Sequence, residues 1–229
     1  MNPSGSLILF DIDGTLMRGA GQHHREALVE GIRRVTGHAT SLEGVSTSGM
    51  LDRDLIEIML SAGGASARQI RASMRQIAAE CQAYFAENCA LDLAPFVCPG
   101  VPEALSRIRA TGAAMGLVTG NLSAIGWKKL ELAGVREFFS VGAFAEDGTT
   151  RARLARVAAS RAKRHGLVAK GARISLIGDH ANDVLAAKAN GFQAIAVATG
   201  LSSMEDLASS NPDILVPNLL ALDIEQLVS

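Results

Sequence analysis

Short continuous apolar runs alternate with stretches of helical periodicity over most of the chain. Residues 7–10, 114–118, 141–145, 174–177 and 194–198 have the length and composition of parallel strands covered on both faces. Between them, residues 101–109, 124–133, 151–165 and 184–190 carry the spacing of amphipathic helices. Pro102 stands in the first turn of the first of these, where its missing N–H is tolerated. Such alternation predicts an α/β fold built on a parallel sheet. Residues 213–216 and 219–227 are expected to add an edge strand and a closing helix.

One stretch breaks the alternation. Residues 17–94 show helical periodicity and no convincing strand. Ile70, Met74, Ile77, Cys81, Tyr84 and Phe85 step by three and four along one face, behind a capping residue at Ser66. Leu55, Ile58 and Met59 mark a second helix, and Ala27, Leu28, Ile32 and Val35 a third. Gly19-Ala20-Gly21 punctuates the entry to this stretch, and Pro95 and Pro99-Gly100 its exit. The pattern divides the chain into an α/β core, residues 1–16 and 95–229, and an inserted α-helical cap, residues 17–94.

Composition narrows the function classes. With 48% hydrophobic residues but only 4% aromatic ones, the core must be aliphatic, and bulk disorder is excluded. A net charge of −1 argues against a dedicated binder of nucleic acid or membrane surfaces. No apolar run is long enough to span a bilayer, and Asp11 and Asp13 follow the first apolar run too closely for an export signal. Cys81, Cys89 and Cys98 lack CxxC spacing and read as reduced structural thiols, so a cytoplasmic location is expected.

The chemistry gathers at strand ends. Asp11-Ile12-Asp13-Gly14-Thr15 follows the first strand, where α/β sheets bind ligands. Two like charges there call for a cation, and Mg²⁺ suits carboxylate and carbonyl oxygens. Alone, the segment is equally an exposed Asp-Gly turn. Gly178-Asp179-His180-Ala181-Asn182-Asp183 repeats the arrangement after a later strand, making Asp179 a candidate metal ligand. Asp183 is either a ligand or a helix-capping acid, and the two roles are compatible. Thr119-Gly120-Asn121 ends another strand with a hydroxyl and helix-start amides suited to phosphate oxygens, although Thr and Asn also cap helices routinely.

In this order, DIDGT, LVTGN and IGDHAND resemble the motifs of the haloacid dehalogenase-like hydrolase superfamily. CPGVPEAL and the helical insert resemble its phosphoglycolate phosphatase-like branch, and the likeness covers essentially the whole chain. It implies a Rossmann-like core with a helical cap. It further implies that Asp11 is a nucleophile forming an aspartyl-phosphate and Asp13 a general acid and base. Mg²⁺ would be held by the Asp11 carboxylate, the Asp13 carbonyl and Asp179, with Asp183 in the metal shell or orienting its waters. Thr119 and the Gly120 and Asn121 amides would hold the phosphoryl group. The family's third motif is usually a lysine, and none stands in the segment after residues 141–145. Arg151 is the expected replacement, ahead of Arg153; the alternative is that both belong to a solvated basic face with Arg156, Arg161, Lys163 and Arg164. Lys128 and Lys129, nearly two helical turns beyond the TGN loop, look like poorer candidates.

Thr47-Ser48-Gly49-Met50 resembles the branch's cap loop facing the active site, which makes Gly49 a candidate for substrate contact. Arg53 would meet a second anionic group on the substrate or pair with Glu57 one turn on. His23 and His24, at a helix start, are expected to face solvent. The leading expectation is a Mg²⁺-dependent phosphatase acting on a small phosphorylated metabolite. A phosphomutase, or a non-catalytic phosphate-binding or regulatory module, stands as the alternative. Asp13 disfavours a dehalogenase, because a halide leaves without a proton. A cap free of lysine disfavours a phosphonatase, which uses one for a Schiff base. Nothing in the sequence sets the oligomeric state.

Overall fold

The computed structural model describes residues 3–228; residues 1, 2 and 229, at the outer ends of the expected core segments, lie outside the described residues. Strands β1 (Ser4–Phe10), β2 (Ala114–Val118), β3 (Val141–Ala143), β4 (Val168–Gly178), β5 (Gln193–Val197) and β6 (Ile214–Val216) form one parallel sheet. Their spatial order is β3-β2-β1-β4-β5-β6. Helices α1 (Gln22–Thr36), α2 (Asp52–Ala62) and α3 (Ala67–Asn88) lie in the chain between β1 and β2. The remaining helices are α4 (Val101–Ala110), α5 (Ser123–Leu132), α6 (Arg151–Arg164), α7 (Ala181–Lys188), α8 (Met204–Ser209) and α9 (Glu225–Val228).

The period of two along β1 explains its unbroken apolar run. Leu7 and Leu9 bury against Leu154, Ala155 and Ala158 of α6 and Val184 of α7 on one face. Ile8 and Phe10 bury against Val101, Leu105 and Ile108 of α4 and Leu227 of α9 on the other. With both faces covered, alternation of apolar and polar residues disappears. The first cluster continues into the inserted helices through Leu28, Ile32, Leu55, Met59, Ile77 and Phe85. Gly31 of α1 sits against Cys81 of α3, whose sulfur and backbone would meet any Cβ placed there, so glycine sets the closest approach of these two helices.

Capping agrees with the sequence at α3, where Ser66 and Gln69 exchange side-chain and backbone bonds in a capping box. The entry and exit of the inserted helices run side by side. Arg18 N donates to Phe96 O at 2.8 Å and Cys98 N to Leu16 O at 2.9 Å, with Met17 opposite Val97 in antiparallel pairing. The three cysteines are buried and unpaired, and burial pushes the Cys81 thiol up to about 12. Among the described residues, no helix is long and apolar enough to cross a membrane.

Four expectations need correction. β3 stops at Ala143, because residues Ala145–Asp147 turn into a single 3₁₀ turn tied by Asp147 to the Phe144 amide. β4 begins six residues early, with a bulge opposite Ser4 to Ser6; Lys170, Gly171 and Arg173 interrupt the apolar run there and conceal the start. The closing helix breaks into a 3₁₀ turn at Leu219–Ala221 and α9. Leu222 and Ile224 both bury, and residues two apart cannot share one helical face. In α2 the buried face is Leu55, Ile56, Met59 and Leu60, while Ile58 is exposed.

Candidate active site

From β1 the chain runs to β2 and β3 on one side and to β4, β5 and β6 on the other, which opens a crevice at the carboxyl ends of β1 and β4. Register brings three loop starts level there. Phe10 lies opposite Leu117 and Ile177, so Asp11, Thr119 and Asp179 emerge together. A cavity of about 620 Å³ opens above them, floored by Asp11, Asp13, Thr119, Arg151 and Asp179 and roofed by His24, Gly49, Met50 and Asp52 of the insert.

Asp11, Asp179 and Asp183 are buried, and one carboxylate oxygen from each lies within 4.8 Å of the others. Gly14, at φ +91°, and Gly200 leave the room for Asp179, since a Cβ on either would fall on its carboxylate. Thr15 Oγ1 donates to Asp179 Oδ1 at 3.1 Å. Asp183 Oδ2 accepts from the His180 amide at 3.3 Å, so this acid both caps α7 and joins the cluster. Its Oδ1 is buried without a hydrogen-bond partner among the described residues. Burial, then the charges of Asp11 and Asp183, push Asp179 up to about 8. Burial raises Asp183 to about 7 against the pull of Arg151. Three acids facing one arginine leave the cluster short of positive charge.

That arginine is Arg151, at the start of α6. Its Nη1 donates to Asp11 Oδ1 at 3.0 Å and its Nε lies 3.3 Å from Asp183 Oδ1. Burial opposes its charge, but Asp11 and Asp183 outweigh burial and raise its pKa. Thr150 caps α6 by accepting from the Arg153 amide, which fixes Arg151 at the inward first position and turns the Arg153 side chain out. Arg161 pairs with Asp147 away from the site.

Asp13 does not join the three acids. Its carboxylate points to the other wall, where Lys129 Nζ reaches both oxygens at 2.8 and 2.7 Å and Asn121 Nδ2 donates at 2.8 Å. Desolvation in the cleft works against the charge, but the Lys129 ammonium beside it and the hydrogen bonds from Lys129 and Asn121 outweigh it and hold Asp13 at about 2. Asn121 also donates to Thr119 Oγ1 at 2.7 Å, locking the loop that ends β2.

Lys129 is the residue that sequence reasoning passed over. It stands on α5 four residues after the buried Ile125, and residues four apart share one helix face. The buried positions of α5 are Ile125, Gly126, Lys129 and Leu130, so the visible signal was a charge inside an apolar stripe. His24 also departs from expectation. It faces inward, with Nε2 2.8 Å from Asp52 Oδ2 and Nδ1 3.0 Å from Lys129 Nζ. His23 pairs with Glu26.

The insert meets the core on the loop that follows β2. Asp52 N donates to Gly120 O at 2.8 Å, and Asp52 Oδ2 accepts from the Leu122 amide at 2.7 Å ahead of α5. Gly120 is pressed against the Met50 carbonyl, leaving no space for a side chain. Gly49, at φ +67°, lies on the His180 ring and its carbonyl accepts from Asn182 Nδ2 at 3.0 Å. Arg53 lies outside the cavity lining and approaches Asp54, at 3.8 Å, rather than Glu57.

Residues 6–191 match the family model described as haloacid dehalogenase-like hydrolase. A probable phosphatase, IndB, from Dickeya dadantii (strain 3937) is 25% identical over 213 residues, covering 92% of this chain and 88% of that protein. A phosphoglycolate phosphatase from Salmonella choleraesuis (strain SC-B67) is 28% identical over 120 residues, 52% of this chain and 47% of that protein, so the match spans about half its length. Among solved structures, a β-phosphoglucomutase from Clostridium difficile superimposes with a TM-score of 0.69 at 18% identity, covering 97% of this chain and 95% of that one. That likeness is one of fold. The chain belongs to the haloacid dehalogenase-like hydrolase family.

Proposed function

We propose that the protein is a Mg²⁺-dependent phosphatase that hydrolyses a small phosphorylated metabolite through a phosphoaspartate on Asp11. The observation that carries this is the separation of two acids in one cavity. Asp11 lies buried beside Arg151 and two further carboxylates, while Asp13 is held apart on the opposite wall. The phosphatase relatives support the same class.

A divalent cation fits the acidic cluster. Three buried carboxylates share one guanidinium, and Asp183 Oδ1 has no hydrogen-bond donor among the described residues. Asp11, Asp179 and Asp183 would hold Mg²⁺ together with the Asp13 carbonyl. When bound, the ion supplies charge neutralisation to the phosphoryl oxygens.

The protein's own groups account for the bond changes. An Asp11 oxygen attacks phosphorus as the ester P–O bond breaks; Asp13, ionised in the free protein, takes up a solvent proton as substrate binds and gives it to the departing oxygen. Asp13 then takes a proton from water as that water attacks phosphorus and the P–O bond to Asp11 breaks, releasing phosphate. Arg151 holds Asp11 and would neutralise phosphoryl charge through its fork. The Thr119 hydroxyl and the Gly120 and Asn121 amides would donate to the remaining oxygens. Residues 17–94 would act as a cap that excludes water, with the Gly49 loop over the reacting centre. The unpaired thiols support a reducing, cytoplasmic setting.

Hydrolysis of p-nitrophenyl phosphate with Mg²⁺ tests this reading. Wild type should turn over and Asp11→Asn should lose roughly 10⁴-fold or more in kcat. An Asp11→Asn protein that keeps its activity would remove Asp11 as nucleophile. A wild type inert towards this ester and towards a broad panel of phosphate monoesters would defeat the phosphatase reading itself.

A further inference from the structure

Lys129 is a fully buried ammonium whose three donors have three partners. Its Nζ lies 2.7–2.8 Å from the Asp13 oxygens, 2.7 Å from Asn121 Oδ1 and 3.0 Å from His24 Nδ1. The His24 bond fixes a tautomer by elimination. Nε2 faces the Asp52 carboxylate and must carry the hydrogen, which leaves Nδ1 as the acceptor for Lys129. Asp52 in turn has both its amide and its carboxylate on the loop at 120–122. A continuous chain of bonds therefore runs Asp52–His24–Lys129–Asp13, with its first two members on the insert and its last two on the core.

Asp13 needs such support. Its side chain is 44% exposed to the cavity, where a lone carboxylate would sample several rotamers. Both its oxygens are engaged from the Lys129 side, and Asn121 adds a second direction. The carboxylate is thus fixed while its cavity side stays open. We propose that Lys129 is the positioning residue of the acid and base Asp13, and that His24 makes this support depend on the insert being seated on the core. The proposal rests on the phosphatase reading above and adds a residue and a coupling to it.

Two esters with different leaving groups test it. A p-nitrophenolate leaves without a proton, whereas an alkoxide needs one, and kcat/KM reports the steps up to departure of that group. Lys129→Met keeps the length of the side chain and removes its donors. The expected result is a fall in kcat/KM of about 100-fold on an alkyl phosphate, against about threefold or less on p-nitrophenyl phosphate. His24→Leu removes one partner of Lys129 and should show the same selectivity at about tenfold on the alkyl ester. Should Lys129→Met fail to fold, His24→Leu carries the test alone. Equal losses on both esters would assign Lys129 a merely structural role and overturn the proposal, as would an unchanged or raised rate on the alkyl ester. Selectivity in Lys129→Met without any in His24→Leu would overturn the coupling to the insert. A wild type inactive on both esters would defeat the phosphatase reading instead.

Discussion

Arg151 carries an unusual share of the electrostatics for one side chain. It reaches Asp11 and Asp183 together from a buried position at the floor of the cavity. Removing one partner from a buried ionic group strands the rest, at a typical cost of about 3–5 kcal/mol. Arg151→Met should therefore lower the stability of the metal-free protein by about that amount, and Mg²⁺ should restore more stability to the variant than to wild type. Denaturant unfolding with and without Mg²⁺ measures both. Arg151→Lys keeps the charge but loses the fork, so stability should fall less while activity falls substantially. Of the residues involved, Asp11, Asp13, Asp179, Asp183 and Arg151 were visible in the sequence because each sits next to an apolar run or at a helix start. Lys129 and Asp52 were not. Lys129 was measured by its distance along the chain instead of its rotation about α5, and Asp52 meets Leu122 across a separation of 70 residues.

At the scale of elements, a close backbone contact joins the loop before α2 to the loop after β2. Gly120 packs on a backbone carbonyl that cannot swing aside as a side chain would. Gly120→Ala should force the two loops apart and cost about 1–3 kcal/mol, read from the midpoint of chemical denaturation at unchanged slope. An unaltered midpoint would mean that the insert adjusts without penalty. Strand β2 was readable to the residue because Met115–Val118 are buried in one unbroken run, and the inserted helices were readable from their stripes, with Ile58 of α2 the misassigned position. The start of β4 was hidden by Lys170, Gly171 and Arg173, which lie in and beside the bulge and do not join the apolar core. The chain after Leu219 misled because four buried leucines and isoleucines resemble a helical stripe until their spacing is checked.

For the whole molecule, the sheet's switch point gathers negative charge that the polypeptide leaves partly uncompensated. Asp179 and Asp183, at about 8 and about 7, bind protons in the folded metal-free protein well above the ordinary carboxylate value of 3.8. Between those values the folded state holds more protons than the unfolded state, so the sign of linkage is negative. Their contribution to stability is fullest below about pH 4 and declines as pH rises towards 8. A bound divalent ion must displace those protons, so its stabilising effect grows over the same range. Thermal melts should show a larger Mg²⁺-induced rise in Tm at pH 8 than at pH 6. A larger rise at pH 6 would show that the acids are already ionised without metal.

The side-by-side pairing of Leu16–Arg18 with Phe96–Cys98 has a consequence for how such a chain can vary. Both crossings between the sheet and the inserted helices occur at one place, stitched to each other by main-chain bonds that do not depend on side-chain identity. The sheet therefore registers the insert as a single excursion that leaves and returns at the same address, whatever its length. A shorter or longer module could be spliced between these two segments without moving β1 relative to β2. The helices roofing the cavity are in that sense interchangeable furniture on a fixed floor, and selection for a new substrate can rebuild them while the acids below keep their places.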